Sequence, residues 1–166
     1  MAIAGSWDST TSRVQRLIPG RMDSMNSRNT AGNGGPPLNA AVRLSNEHNR
    51  LNRLYAALMR DLRPSSRHIA YASFVRLRDT LESHFDVEDQ VHFPIVEKLR
   101  PEFASLILSL RDDHSRYRNK FIQISQIISV GEINEGRRLL GTLAEDLMGH
   151  ERTEEDLLAR IMNSPT

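Results

Sequence analysis

At 166 residues, the chain is long enough for one domain with a real core, and its formal net charge of +1 gives no electrostatic case for nucleic acid or an anionic membrane as partner. It has no cysteine, which excludes disulfides, thiolate nucleophiles, zinc fingers and iron–sulfur clusters together. No apolar run approaches the length needed to span a bilayer, and with 5% aromatic residues a base-stacking surface is not expected.

Residues 1–37 are rich in Ser, Asn, Gly and Arg and end in Gly32-Asn-Gly-Gly-Pro-Pro37, a composition that cannot bury enough apolar area to offset its ordering entropy. A flexible tail is the expectation. It holds no apolar stretch with a cleavage site, so it does not read as a secretory signal. Arg13, Arg16, Arg21 and Arg28 among Ser and Thr faintly suggest an organelle transit peptide, but Asp8 and Asp23 argue against it. Trp7, Val14, Leu17 and Ile18 could form one short amphipathic turn.

Four segments of helical period follow. The first is expected from about Asn39, as N-cap, to Leu62, closed by Arg63-Pro64, with the stripe Leu44, His48, Leu51, Tyr55, Leu58, Leu62. The second runs from about Arg67 to Leu99, with Pro94 kinking or shortening its last turns. Its stripe is Phe74, Leu77, Leu81, His84, Glu88, Val91, Ile95. The third opens at Pro101 and continues to about Ser129, with Phe103, Ile107, Leu110, His114, Tyr117, Phe121, Ile124 and Ile128 on one face; Gly131 ends it. The fourth runs from about Asn134 to Met162 through Leu140, Leu143, Leu147, His150, Glu154, Leu157 and Ile161. Short connections force sequential helices to lie antiparallel, so the predicted fold is an all-α, up-down-up-down four-helix bundle spanning residues 38–163.

Every stripe carries a histidine in its middle, and two carry a glutamate four residues later, one turn away on the same face: His84 with Glu88, and His150 with Glu154. Counting residues from the helix ends puts His48 and His84 roughly 21–24 Å from one end of the bundle, and His84 and His114 each roughly 20 Å from the other, at 1.5 Å per residue. His150 matches His114 in the same way. All four imidazoles should therefore sit at one level, pointing inward. A single histidine on an apolar face is ordinarily a hydrogen-bonded core residue. Four level histidines with two carboxylates would need an unusually large satisfied network to survive without a cation.

A metal site is the expectation, with ligands His48, His84, Glu88, His114, His150 and Glu154. Nitrogen and oxygen donors leave iron, manganese or zinc as candidates. Six protein ligands are too many for one catalytic zinc, which keeps three. Two metals fit better: with both glutamates bridging, the protein supplies four nitrogens and four oxygens, and about four of twelve octahedral positions stay open. Such a site favours binding or reducing a small molecule, whether dioxygen, peroxide or nitric oxide. The Glu-x-x-His pairs of ferritin-like di-iron bundles are absent, as are His-Glu-x-x-His, phosphate-binding glycine loops and Gly-x-Ser-x-Gly.

Taken together, His48, His84-Phe-x-x-Glu88 followed by Phe93-Pro94, His114, and His150-x-x-x-Glu154 resemble the haemerythrin-like cation-binding (HHE) domain from about Leu38 to Asn163. The resemblance implies a non-haem di-iron centre, oxo- or hydroxo-bridged, between the helices, with Glu88 and Glu154 as bridging ligands. Oxygen-carrying haemerythrins have His-x-x-x-His on the third helix, whereas here His114 is followed four residues on by Arg118. Their last helix bears its acid five residues after the histidine; here position 154 is Glu, with Glu155 the alternative. The match is closer to four-histidine, two-glutamate members associated with iron sensing, nitric oxide or peroxide response, and repair of iron centres. The repair members carry an additional cysteine-bearing domain.

Among lesser candidates, His92 follows Glu88 by four residues and is expected in the core or beside the ligands. Tyr55 and Tyr117 lie on the ligand stripes, as core aromatics or as donors to an iron-bound oxygen species. His68 looks incidental, while Asp89, Asp113 and Glu47 adjoin ligands and are placed to orient imidazole N–H groups. The sequence thus predicts a cytoplasmic protein binding two irons that engages a small diatomic or peroxide ligand. An iron-dependent regulatory module and a weak peroxide-decomposing enzyme are the alternatives.

Overall fold

Two prolines open the first described helix. The computed structural model describes residues 36–163, with side chains from residue 44. The tail expected over residues 1–37 therefore lies outside the described residues up to position 35, as do Trp7 and the arginines between 13 and 28. Helix α1 spans Pro36–Asp61. It begins three residues before the expected Asn39 cap, because Pro36 and Pro37 fall in the first turn, where a missing N–H costs nothing. Arg63 is extended, φ −129° and ψ 143°, as the residue before a proline must be, so the chain leaves the helix there.

Helix α2 spans Arg67–Val87, a π turn covers Glu88–His92, and α3 spans Phe93–Leu99 without a break between them. After a 3₁₀ turn at Pro101–Phe103, α4 runs Ala104–Ser129 and α5 runs Ile133–Asn163. Between these last two, Gly131 takes φ +91°. Its N–H donates to Ile128 O and that of Glu132 to Ile127 O, the paired bonds that close a helix on a left-handed residue.

Contacts across neighbouring helices run in opposite chain directions. Glu47 meets His84 while Asp61 meets Ser73 across α1 and α2; Asp89 meets His114 while Tyr71 meets Ser125 across the second rod and α4. Asp113 meets His150 while Lys120 meets Asp146 across α4 and α5, and His48 meets Glu154 while Tyr55 meets Leu140 across α1 and α5. The result is an all-helical bundle with no strand among the described residues. None of its helices is long and apolar enough to cross a membrane.

At one end the buried residues are Leu58, Leu62, Ala70, Phe74, Ile124, Ile128, Ile133 and Leu140. At the other, Phe93, Ile107, Leu110 and Leu157 form a second apolar cluster. The predicted stripes of α1, α4 and α5 face inward as expected, but the second rod departs from its pattern. Val91 and Ile95 are exposed, and Phe93 is buried in their place. The Phe93 N–H donates to Glu88 O, five residues back, so the π turn inserts one residue and rotates everything after it. Pro94, which has no N–H to give the preceding turn, favours this loosening. The helix neither ends nor shortens at Pro94; the distortion lies just upstream.

Candidate metal centre

Between the two apolar clusters lies a polar layer of six residues: His48, His84, Glu88, His114, His150 and Glu154, all buried. The histidine stripes converge at one level, as helix counting predicts. The rings of His48 and His84 are 5.5 Å apart and those of His114 and His150 are 4.7 Å apart. Two quartets of donors result. In each of His48, His84, Glu88, Glu154 and Glu88, His114, His150, Glu154, one donor atom per residue lies within 4.8 Å of every other.

Each glutamate belongs to both quartets, and its two oxygens face different histidines. Glu88 sets Oε1 3.2 Å from His84 Nε2 and Oε2 3.4 Å from His114 Nε2. Glu154 sets Oε1 3.1 Å from His150 Nε2 and Oε2 3.4 Å from His48 Nε2. The π turn begins at Glu88, so this carboxylate keeps the facing that i,i+4 spacing from His84 gives it, while Phe93 beyond the turn is rotated into the bundle.

The outward nitrogens are equally ordered. Nδ1 of His114 lies 2.9 Å from Asp89, that of His84 3.1 Å from Glu47, and that of His150 3.3 Å from Asp113. These are the three carboxylates expected to orient imidazoles. A fourth, Glu155, lies 3.5 Å from His48 Nδ1, which makes it a backing group on the outer side of the ring while Glu154 occupies the centre. A carboxylate on Nδ1 fixes the tautomer and turns the Nε2 lone pair inward. Nε2 of His114 and Nε2 of His150 are 3.0 Å apart, and with both rings in that tautomer two lone pairs would face one another.

Both ring nitrogens of His48, Oε2 of Glu88 and both oxygens of Glu154 are buried without a hydrogen bond among the described residues. Unpaired buried groups of this kind are costly, and a cation removes the cost. Without one, the charges are forced apart. Burial and the neighbouring Glu154 push Glu88 up to about 10. Burial would raise Glu154 too, but its contacts with His150 and His48 outweigh that and hold it well below the usual carboxylate range. Burial and His150 push His114 down to about 4, and burial lowers His84. His48 and His150, despite burial, are raised by their carboxylate contacts. The nitrogen and oxygen donors present therefore fit bound metal cations.

The other expected residues bring no polar atom to the centre, although the Tyr117 ring packs edge-on against His150 at 5.6 Å between centroids. His92 is exposed, rotated outward by the π turn, which removes the expected core or ligand-supporting place. His68 is exposed as well. The Tyr55 hydroxyl donates to Leu140 O at 3.3 Å and that of Tyr117 to Asp146 O at 3.1 Å, so both are core aromatics with their phenols committed to backbone. Spacing alone did not reveal a pair of phenyl rings around His114. Phe85 stacks on it at 4.2 Å between centroids and Phe93 at 5.7 Å. The only sequence signal was that both phenylalanines belong to the motif between His84 and Pro94.

Compared with known proteins, residues 39–161 match the family model of the Hemerythrin HHE cation binding domain. No curated protein and no solved structure matches the chain.

Proposed function

The chain belongs to the hemerythrin HHE cation-binding domain family, and from that premise we propose that it is a non-haem di-iron protein whose open iron positions bind or respond to dioxygen, peroxide or nitric oxide. We read its bundle as up-down-up-down over residues 38–163, and its location as cytoplasmic. His48 and His84 would hold one ion, His114 and His150 the other, with Glu88 and Glu154 donating to both. The observation that carries this reading is the sharing of both glutamates between two donor quartets. Each quartet offers four donors, and an octahedral ion then keeps about two positions for exchangeable ligands. Bound iron would supply redox chemistry and affinity for small oxidising or diatomic molecules. The protein's part is to hold its imidazoles by their outer nitrogens and to surround the centre with apolar side chains that limit water.

The runner-up, a regulatory module in which metal occupancy controls folding and partner choice, draws on the unpaired buried atoms of His48, Glu88 and Glu154. Adding nitric oxide or hydrogen peroxide to the iron-loaded protein distinguishes the two. A change in the near-ultraviolet and visible bands is expected. An unresponsive spectrum, together with a large metal-dependent rise in melting temperature, would favour the regulatory module.

A further inference from the structure

The two donor quartets use the same residue types but are not supported equally. His114 is fully buried, with the rings of Phe85 and Phe93 both stacked against it, and its Nδ1 lies 2.9 Å from Asp89. Asp89 is in turn held by Arg118, whose guanidinium donates to it at 3.4 Å, to Asp86 at 3.0 Å, and lies over Phe85 at 5.7 Å. His150, buried beside it, is backed by Asp113, which pairs with Arg116. The opposite pair is looser. Glu47 and Glu155, which back His84 and His48, are longer side chains with 52% and 57% of their surface exposed, against 23% and 17% for Asp89 and Asp113. Among the described residues Glu47 pairs with no arginine or lysine.

Access follows the same division. A cleft of about 560 Å³ between α1 and α2 is lined by Glu47 and His84 together with Arg50, Leu51, Arg76 and Thr80. A second, of about 450 Å³ between α4 and α5, is lined by Asp113, Tyr117, Lys120, Asp146 and His150. Both imidazoles are buried, but His84 keeps 9% of its surface exposed against 3% for His150.

We propose that the two metal positions are unequal: the His114–His150 position fills first and retains its ion, while the His48–His84 position exchanges through the α1–α2 cleft. Arg118, acting through Asp89, is the positioning residue that sets the difference. This inference rests on the two-metal reading above. Its physical basis is preorganisation, since a ligand already locked by stacking and by a fixed carboxylate loses little freedom on binding, whereas one backed by a solvated glutamate must be ordered. The Arg118 charge opposes a nearby cation. Its guanidinium is already neutralised by Asp86 and Asp89, so the locking effect prevails.

The test is a titration of the metal-free protein with cobalt(II), followed by calorimetry and by the nuclear magnetic resonance signals of the histidine side chains. The first equivalent should perturb His114 and His150, the second His48 and His84. Arg118→Gln and Asp89→Asn should each weaken the first step by about tenfold or more, and Glu47→Gln only the second. Arg118→Lys, which still offers Asp89 a cation, should restore part of the first step. Circular dichroism establishes that each variant is folded; if Asp89→Asn is not, the partly exposed Arg118 carries the same test. Mutual repulsion between ions in two equal positions would also separate the steps, but Arg118→Gln would then leave the first step intact. That result, or a first equivalent spread over all four histidines, overturns the proposal. Binding of only one ion overturns the two-metal reading itself.

Discussion

The ring of His114 stacks on that of Phe85, with centroids 4.2 Å apart and planes 17° from parallel. Phe85 also approaches His84 and His150, so one phenyl group supports imidazoles from both quartets. It sits one residue after His84, on the side of the helix that faces α4 when His84 faces the centre. Phe85→Ala should cost about 3–5 kcal/mol in chemical denaturation, as buried aromatic truncations do. Phe85→Leu, which keeps most of the volume, should fold and still retain less metal after dialysis. Unchanged retention in the folded Leu variant would mean the stacking is packing alone.

Metal removal should cost stability. A ligand present at a thousand times its dissociation constant contributes about 4 kcal/mol, which for a domain of this size is a shift on the order of 10 °C. Thermal scans before and after chelation measure it. Equal melting temperatures would contradict the view that the unpaired atoms of Glu154 and His48 await a cation.

Metal uptake at pH 7 should release protons. Glu88, raised from 4.5 to about 10 in the metal-free protein, is protonated at neutrality and must ionise to act as a ligand. His48 and His150, raised above 6.5, add to the release. Calorimetry in buffers of different ionisation enthalpy counts these protons. The same raised Glu88 value makes folding favour the protonated carboxyl, so its contribution is complete below about 4.5 and is lost as pH rises towards about 10. The chelated protein should therefore lose melting temperature between pH 7 and 9, and the metal-loaded protein should lose much less.

Gly131→Ala should destabilise without touching the metal. A Cβ there would meet only ordinary contacts with Arg67, but φ +91° is a conformation that alanine adopts at a cost of about 1–2 kcal/mol. Lower stability with an unchanged metal count would separate damage to the bundle from damage to its centre.

Much of this site was legible in the sequence because helical periodicity fixes facing. His48, His114, and the pair His150 and Glu154 interrupt regular apolar stripes, and short connections with similar helix lengths bring them to one height. Asp89, Asp113 and Glu47 were legible for the same reason, each lying one residue from a ligand. The second rod was only half legible. Periodicity assumes one step per residue, and the π turn at Glu88–His92 breaks that assumption, exposing Val91 and His92 and burying Phe93. Pro94 signalled a disturbance without saying which side of it the helix would widen. Tertiary pairings such as Arg118 with Asp89, or Glu155 with His48, depend on how neighbouring helices rotate, and no local pattern encodes that.

Metal analysis of the protein purified from iron-replete cells, alongside its His84→Ala and Glu88→Ala variants, addresses the centre most directly. Two irons per chain are expected in the parent, matching its two donor quartets, and clearly fewer in both variants. Full metal content in both variants would contradict the assignment of these side chains as ligands.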